Sequence, residues 1–343
     1  MITYAISTLI DRRDLSRAEA REVMGEIMRG EATPAQMGGF LAVLRAKGET
    51  ADEIAGCAEA MREHVLQVHP TRTDLVDVVG TGGDGSRTFN ISTAAAIVAS
   101  AAGAAVAKHG NRSNTSRSGS ADLLEALQVR IDLEPAAVAR CIDEVGFGFM
   151  FAPRHHAAMK HVVPVRRELA VRTIFNFLGP LTNPAGATRQ LLGVSDRRYQ
   201  ETIAEALLAL GCDHALVVSS DDGLDEIGIS GTTRVIEVAG GTTREEFVRA
   251  ADLGLDDAPA DAITGGSPEQ NAAVVRAVLD GADRGPARDV ILANAGAAIL
   301  VAGGAADLAT GVARAVEAID SGAAAGVLSS LVTLTGQLAS GGE

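Results

Sequence analysis

Aromatic residues are scarce. The 343-residue chain has no Trp, two Tyr and eight Phe, 3% in all, so its core must be built from Ala, Val, Leu and Ile. Lysine is scarcer still: only Lys47, Lys108 and Lys160 stand against 27 arginines. The three cysteines, Cys57, Cys141 and Cys212, are too far apart for a C-x-x-C or a metal-ligand spacing. That excludes a disulfide scaffold and suits a reduced, cytoplasmic chain. The start, "MITYAISTLIDRRDLSR", lacks the basic opening and apolar run of a secretory signal. No long apolar run occurs either. "VILANAGAAILVAGGAA" is broken by Asn294 and glycines and falls short of the roughly 20 residues that span a bilayer. It reads as a buried helix.

Positive charge is also short. The formal net charge of −14 argues against a nucleic-acid or membrane-surface binder, because phosphate surfaces select basic faces. Residues 108–172 depart from this, with ten Lys or Arg against seven Asp or Glu. Such a bias is compatible with a small anionic ligand. What is present, 47% apolar and 22% charged residues, describes a globular chain long enough for two domains.

Residues 1 to about 70 read as helices. Ser16 with Glu19 and Thr50 with Glu53 have capping-box spacing, and Thr33, Pro34 and Gly48 mark a start and a stop. Met37, Phe40, Leu41 and Leu44 share one helical face that needs a partner. From "DLVDVVG" onward, strands are expected at 75–79, 104–108, 215–219, 233–238 and near 289–293. Helices are expected at 93–102, 120–128, 134–145, 199–210, 269–279 and 307–320. This alternation predicts an α/β fold: a small N-terminal helical domain and a large domain with a mostly parallel sheet. Pro153, Pro164, Pro180 and Pro184 break the crossover at 150–190. The expected division is 1–70 with a return segment at about 170–190, then 71–169 and 191–343.

"VDVVGTGGDGSRTFNIST" (76–93) contains G-x-G-x-x-G at Gly80, Gly82 and Gly85. A dinucleotide fold requires an immediate helix and an acid about 20 residues on. Here "SRTFNIS" delays the helix, and no Asp or Glu lies between Asp84 and Asp122. A P-loop fails because Ser86 follows Gly85 where Lys is required. What remains is a run of backbone N–H groups before a helix start capped by Ser92 or Thr93, a ready anion site. "KHGNRSNTSRSGSADLLEAL" (108–127) adds Lys108, Arg112 and Arg117 among short donors, with Ser120 as a helix cap. In "ALVVSSDDGLDEIGISGTTRV" an apolar strand ends in Asp221, Asp222, Asp225 and Glu226. Carboxylates at such a strand end, beside phosphate-type loops, suit Mg2+. His155, His156 and His161 share no helical face and are set aside as zinc ligands. Arg166 is a candidate carboxylate fork, or a partner for Glu168.

Together "GTGGD", "FNIST", "KHGNR", "FAPRHHAAMK", "PVRRELAVRTIFNFLGPLTNP" and "DDGLDE" resemble the anthranilate phosphoribosyltransferases over roughly residues 5–335. The resemblance implies transfer of a phosphoribosyl group from 5-phosphoribosyl 1-pyrophosphate to the amine of anthranilate, in tryptophan biosynthesis, with Mg2+. It implies a homodimer through the helical part. For the donor it implies Gly80, Gly83, Asp84, Thr88, Asn90, Ile91, Ser92, Thr93, Lys108, His109, Gly110, Asn111, Arg112, Ser113, Asn114, Thr115, Ser116 and Ser120. It implies Gly80, Asn111 and Arg166 for anthranilate, and Ser92, Asp225 and Glu226 for magnesium. Asn114, Thr115 and Ala170 depart from the family pattern, which has Gly at the last position. No acid–base side chain is expected, because an aromatic amine is already neutral near pH 7. The alternatives are a pyrimidine nucleoside phosphorylase-like enzyme and a non-catalytic nucleic-acid-binding relative.

Overall fold

The computed structural model describes residues 1–113 and 117–340. Four helices open the chain: Ile2–Ile10, Arg17–Met28, Pro34–Lys47 and Ala51–Glu63. The last three start on capping boxes. Ser16, Thr33 and Thr50 accept from the N–H three residues on, and Glu19, Gln36 and Glu53 reach back. Gly48, at φ 95°, ends the third helix, and Met37, Phe40, Leu41 and Leu44 are buried along it.

Seven strands follow: β1 Leu75–Gly80, β2 Ala105–Gly110, β3 Phe147–Phe151, β4 Arg189–Gly193, β5 His214–Ser220, β6 Thr232–Ala239 and β7 Thr242–Arg249. They form one sheet in the order β3-β2-β1-β4-β5-β6-β7. The first five run parallel, and β6 and β7 are antiparallel. Gly240 and Gly241, both at positive φ, make the two-residue turn that a tight hairpin requires.

Both sheet faces are covered, and alternation along the strands divides the apolar residues. Leu191, Leu216 and Val218 join a core with the helices Ile91–Ala101, Pro286–Val301, Leu308–Asp320 and Ala323–Ser340. Leu192, Ala215 and Val217 join a second core. That second core also holds Phe40, Leu41 and Ile54 of the N-terminal helices and Val165, Phe175 and Leu178 of the crossover. The N-terminal helices thus share a core with the sheet, joined to it through the helix Gln200–Ala209, which packs on Ala51–Glu63 and on β5 and β6. The crossover meets the N-terminal helices ahead of residue 170. Pro153 and Pro164 break the chain into the short helices Ala152–His155, Ala157–His161 and Val163–Leu169, and Ala157–His161 already packs on Arg17–Met28.

Residues 289–293 form no strand. They lie in Pro286–Val301, a helix buried on nearly every side. Gly296 and Gly311 let this helix and Leu308–Asp320 touch backbone to backbone, because a Cβ on either would collide with the other helix. Strands β3, β4 and β7 and the helix Ala323–Ser340 have no counterpart in the sequence patterns. The helix is long and apolar enough to cross a bilayer by composition, and its Leu328, Leu331 and Leu334 are buried.

Candidate functional site

The strand order reverses between β1 and β4. From β1 the sheet grows outward through β2 and β3, then resumes on the other side at β4. Ligand crevices open at the C-terminal strand ends at such a switch point. Here those ends are Gly80 and Gly193, partners in register. Asp225 lies over the pair. A Cβ on Gly80 would strike its carboxylate, and a Cβ on Gly193 its backbone carbonyl. Two glycines therefore make room for one acidic residue.

Gly82 N–H donates to Asp225 Oδ2 at 2.7 Å. Ser92 N–H, at the start of Ile91–Ala101, donates to Glu226 Oε1 at 3.1 Å. From behind, Asn294 accepts from Ile227 N and donates to its carbonyl, both at 2.9 Å. Burial pushes Asp225 up to about 6 and Glu226 up to about 8. Like charge adds to this, from Asp84 on Asp225 and from Asp225 on Glu226. Such carboxylates are costly as bare anions, and their hard oxygens fit Mg2+. Among the described residues no closed set of three ligands surrounds one point. Mg2+ rarely needs one, because it keeps waters and takes one or two carboxylates plus substrate phosphate.

Lys108 is buried beneath this site, where it donates to Val78 O and, at 3.3 Å, to Ser92 Oγ. Burial lowers its pKa against the pull of Asp77 and Glu226. Asp77, itself pushed up to about 6 by burial, accepts from Asn183 Nδ2 and His109 N. His109 Nδ1 faces the Gly179 carbonyl at 3.2 Å and its Nε2 faces His156 Nε2 at 3.2 Å. A carbonyl only accepts, so His109 carries its proton on Nδ1 and His156 donates from Nε2.

The glycine loop turns through Gly82, Gly83 and Gly85, at φ 67°, 72° and 74°. Ser195 Oγ donates to Gly82 O at 2.9 Å, and Arg172 reaches Gly82 O, Gly83 O and Ser195 Oγ. Asp84 accepts from Ser86 Oγ. Neither Ser92 nor Thr93 caps the next helix: its N-cap is Asn90, without a side-chain cap bond. Asn90 instead joins Ser118 and Asn271. Ile91 and Thr93 are buried, and the Thr93 hydroxyl has no partner among the described residues. Any contact from Ile91 is therefore a backbone one.

In the second loop, a Cβ on Gly110 would strike Ser120 Oγ. Ser120 is not the cap: Gly119 holds that place, with its N–H on Asp122. Ser120 Oγ donates to Asn111 O, Asn111 Oδ1 accepts from Arg112 N, and Ser113 N donates to Asp122. Arg112 forms ion pairs with Asp122 and Glu125. Asn114, Thr115 and Ser116 lie outside the described residues. Arg166 does not pair with Glu168. Its guanidinium sits 5.5 Å over the Phe175 ring, half-buried and without an ion pair among the described residues. Burial lowers its pKa.

Sequence patterns did not single out Gly193, Ser195, Arg172 or Asn294 as site residues. Only Asn294 left a signal, as a polar break in an apolar run. The others matter through segments distant in the chain.

The helical bundle domain of the glycosyl transferase family matches residues 3–65, and its a/b domain matches 72–325. Anthranilate phosphoribosyltransferase from Anaeromyxobacter dehalogenans is 54% identical over 335 residues, covering 98% of this chain and 99% of that protein. The crystal structure of the enzyme from Thermus thermophilus is 46% identical, with a TM-score of 0.92, over 96% of this chain and 99% of that one. The Saccharomyces cerevisiae enzyme, in complex with PRPP and Mg, is 28% identical with a TM-score of 0.89, over 98% of each chain. These relatives favour the anthranilate acceptor over the phosphorylase and nucleic-acid readings. The glycine loop, the acidic pair and the helical-plus-α/β fold therefore have one common explanation: the chain belongs to the anthranilate phosphoribosyltransferase family.

Proposed function

We propose that this chain transfers the phosphoribosyl group of 5-phosphoribosyl 1-pyrophosphate to the amine of anthranilate. The products are N-(5-phosphoribosyl)anthranilate and pyrophosphate. The observation that carries this reading is Asp225, buried, and Glu226, half-buried, at the β1–β4 switch point and unfavourable there as bare anions. Ser92, Asp225 and Glu226 would hold Mg2+, which supplies charge neutralisation for the departing pyrophosphate. The glycine loop offers backbone N–H groups to the same leaving group. The nitrogen lone pair attacks the anomeric carbon as the carbon–oxygen bond to pyrophosphate breaks, and the amine proton leaves to solvent. Arg166 pairs with the anthranilate carboxylate, and Gly80 and Asn111 line that end. Holding two anions in line supplies much of the acceleration.

The test is loss of anthranilate fluorescence with donor and Mg2+; no consumption would overturn the reading. A homodimer through the helical layer is also proposed, since Tyr4 and Ile10 on the first helix are exposed. Light scattering at the mass of one 35.1 kDa chain would remove it.

A further inference from the structure

Between Val290 and Val301 the helix Pro286–Val301 carries one polar side chain, Asn294, and it is fully buried. A carboxamide there must find partners, because a buried amide left unbonded is costly. Its Oδ1 accepts from Ile227 N, and its Nδ2 donates to Ile227 O and Val290 O, each at 2.9 Å. Ile227 therefore has both of its backbone groups on one side chain, which lies 67 residues away in the chain.

Ile227 follows Glu226 in the loop 221–231, which joins β5 to β6 without helix or strand. Buried backbone groups in such a loop need partners from elsewhere. Leu224, Ile227 and Ile229 fasten the loop to the core. The N–H that Asn294 accepts belongs to the planar peptide between Glu226 and Ile227, which turns as a unit. That bond therefore fixes the direction in which Glu226 leaves the backbone. Ser92 N–H holds the carboxylate end, at 3.1 Å. Asn294 has a fixed place along its helix, because Gly296, two residues on, meets Gly311 with no room for a Cβ.

We propose that Asn294 is a positioning residue for magnesium binding: by fixing the peptide after Glu226, it keeps the Glu226 carboxylate at the β1–β4 switch point. This rests on the metal assignment above. The test titrates the full chain with Mg2+ in the presence of pyrophosphate, read by calorimetry. In N294S the hydroxyl bonds back to Val290 O and is too short for Ile227. Loss of a partner that orients a metal ligand should raise the Mg2+ Kd roughly tenfold to a hundredfold, while the anthranilate KM stays unchanged. N294A should behave alike, and either variant decides the matter if the other does not fold. In an E226Q background N294S should change Mg2+ affinity no further, while the urea midpoint falls equally in both backgrounds. A role confined to loop stability would lower the midpoint and leave Mg2+ affinity alone, and that result would overturn the proposal. A loss of Mg2+ affinity that persists undiminished beside E226Q would also overturn it. E226Q that by itself leaves Mg2+ affinity unchanged would instead overturn the metal assignment, and the positioning role with it.

Discussion

Single residues place the chemistry. Gly193 is the clearest, because a Cβ there would occupy the position of the Asp225 carbonyl. Gly193→Ala should displace Asp225 and Glu226 together. A shift of about 1 Å can cost on the order of a hundredfold in rate. We expect that loss in Mg2+-dependent kcat/KM, and near-native turnover would show that the contact is dispensable. Arg166 is half-buried over Phe175, with no ion pair among the described residues. Arg166→Ala should raise the anthranilate KM by roughly tenfold or more, and an equal rise in the donor KM would sink that assignment. Asp225 and Glu226 set a pH dependence. With their protons held up to about 6 and about 8, metal must displace them. Mg2+ affinity should therefore rise with pH across 6 to 8, and Glu226→Gln should remove the upper part of that rise. Titration calorimetry at three pH values decides it.

At the scale of elements, helix starts were legible and partnerships were not. Ser16, Thr33 and Thr50 announce their helices because a capping box is closed within four residues. Ser92, Thr93 and Ser120 look like caps by residue type, yet the backbone turns one to three residues earlier, at Asn90 and Gly119. β4 and β7 escape detection because RQLLG is short and TTREEFVR is mostly polar, and their neighbours decide their fate. Ala170 shows a local rule being broken. It ends the helix Val163–Leu169 in the left-handed region, at φ 51° and ψ 28°, where glycine carries no Cβ penalty. Ala170→Gly should stabilise the fold by about 1 kcal/mol and raise the thermal midpoint. A lowered midpoint would refute this.

For the whole molecule, the buried polar seam between sheet and crossover matters most. His109 on β2, His156 and Gly179 meet there. Burial, then the neighbouring His155, pushes His156 from the usual 6.5 down to about 4. Between those values the unfolded chain binds more protons than the folded one. His156 therefore contributes stability that rises with pH across this window, by up to about 3 kcal/mol. Asp77, pushed up to about 6 from 3.8, works in the opposite direction between those values. The informative quantity is therefore the difference between wild-type and His156→Gln urea midpoints from pH 4 to 7. A difference that does not grow with pH would exclude the imidazole as its source.

The amino-acid sequence by itself determined what depends on near neighbours. Its glycines permit the left-handed loop after β1, its hydroxyls and prolines start helices, and its alternating apolar residues give the sheet two faces. The acidic pair after β5 was legible for the same reason, as a strand end followed by carboxylates. Only the tertiary structure decided which charges remain available. Arg112 is spent on Asp122 and Glu125, Lys108 is buried against Val78 O, and Asp225 is lodged between the ends of β1 and β4. Burial and ion pairing depend on which distant segments the strand order brings together, and no local pattern encodes that order.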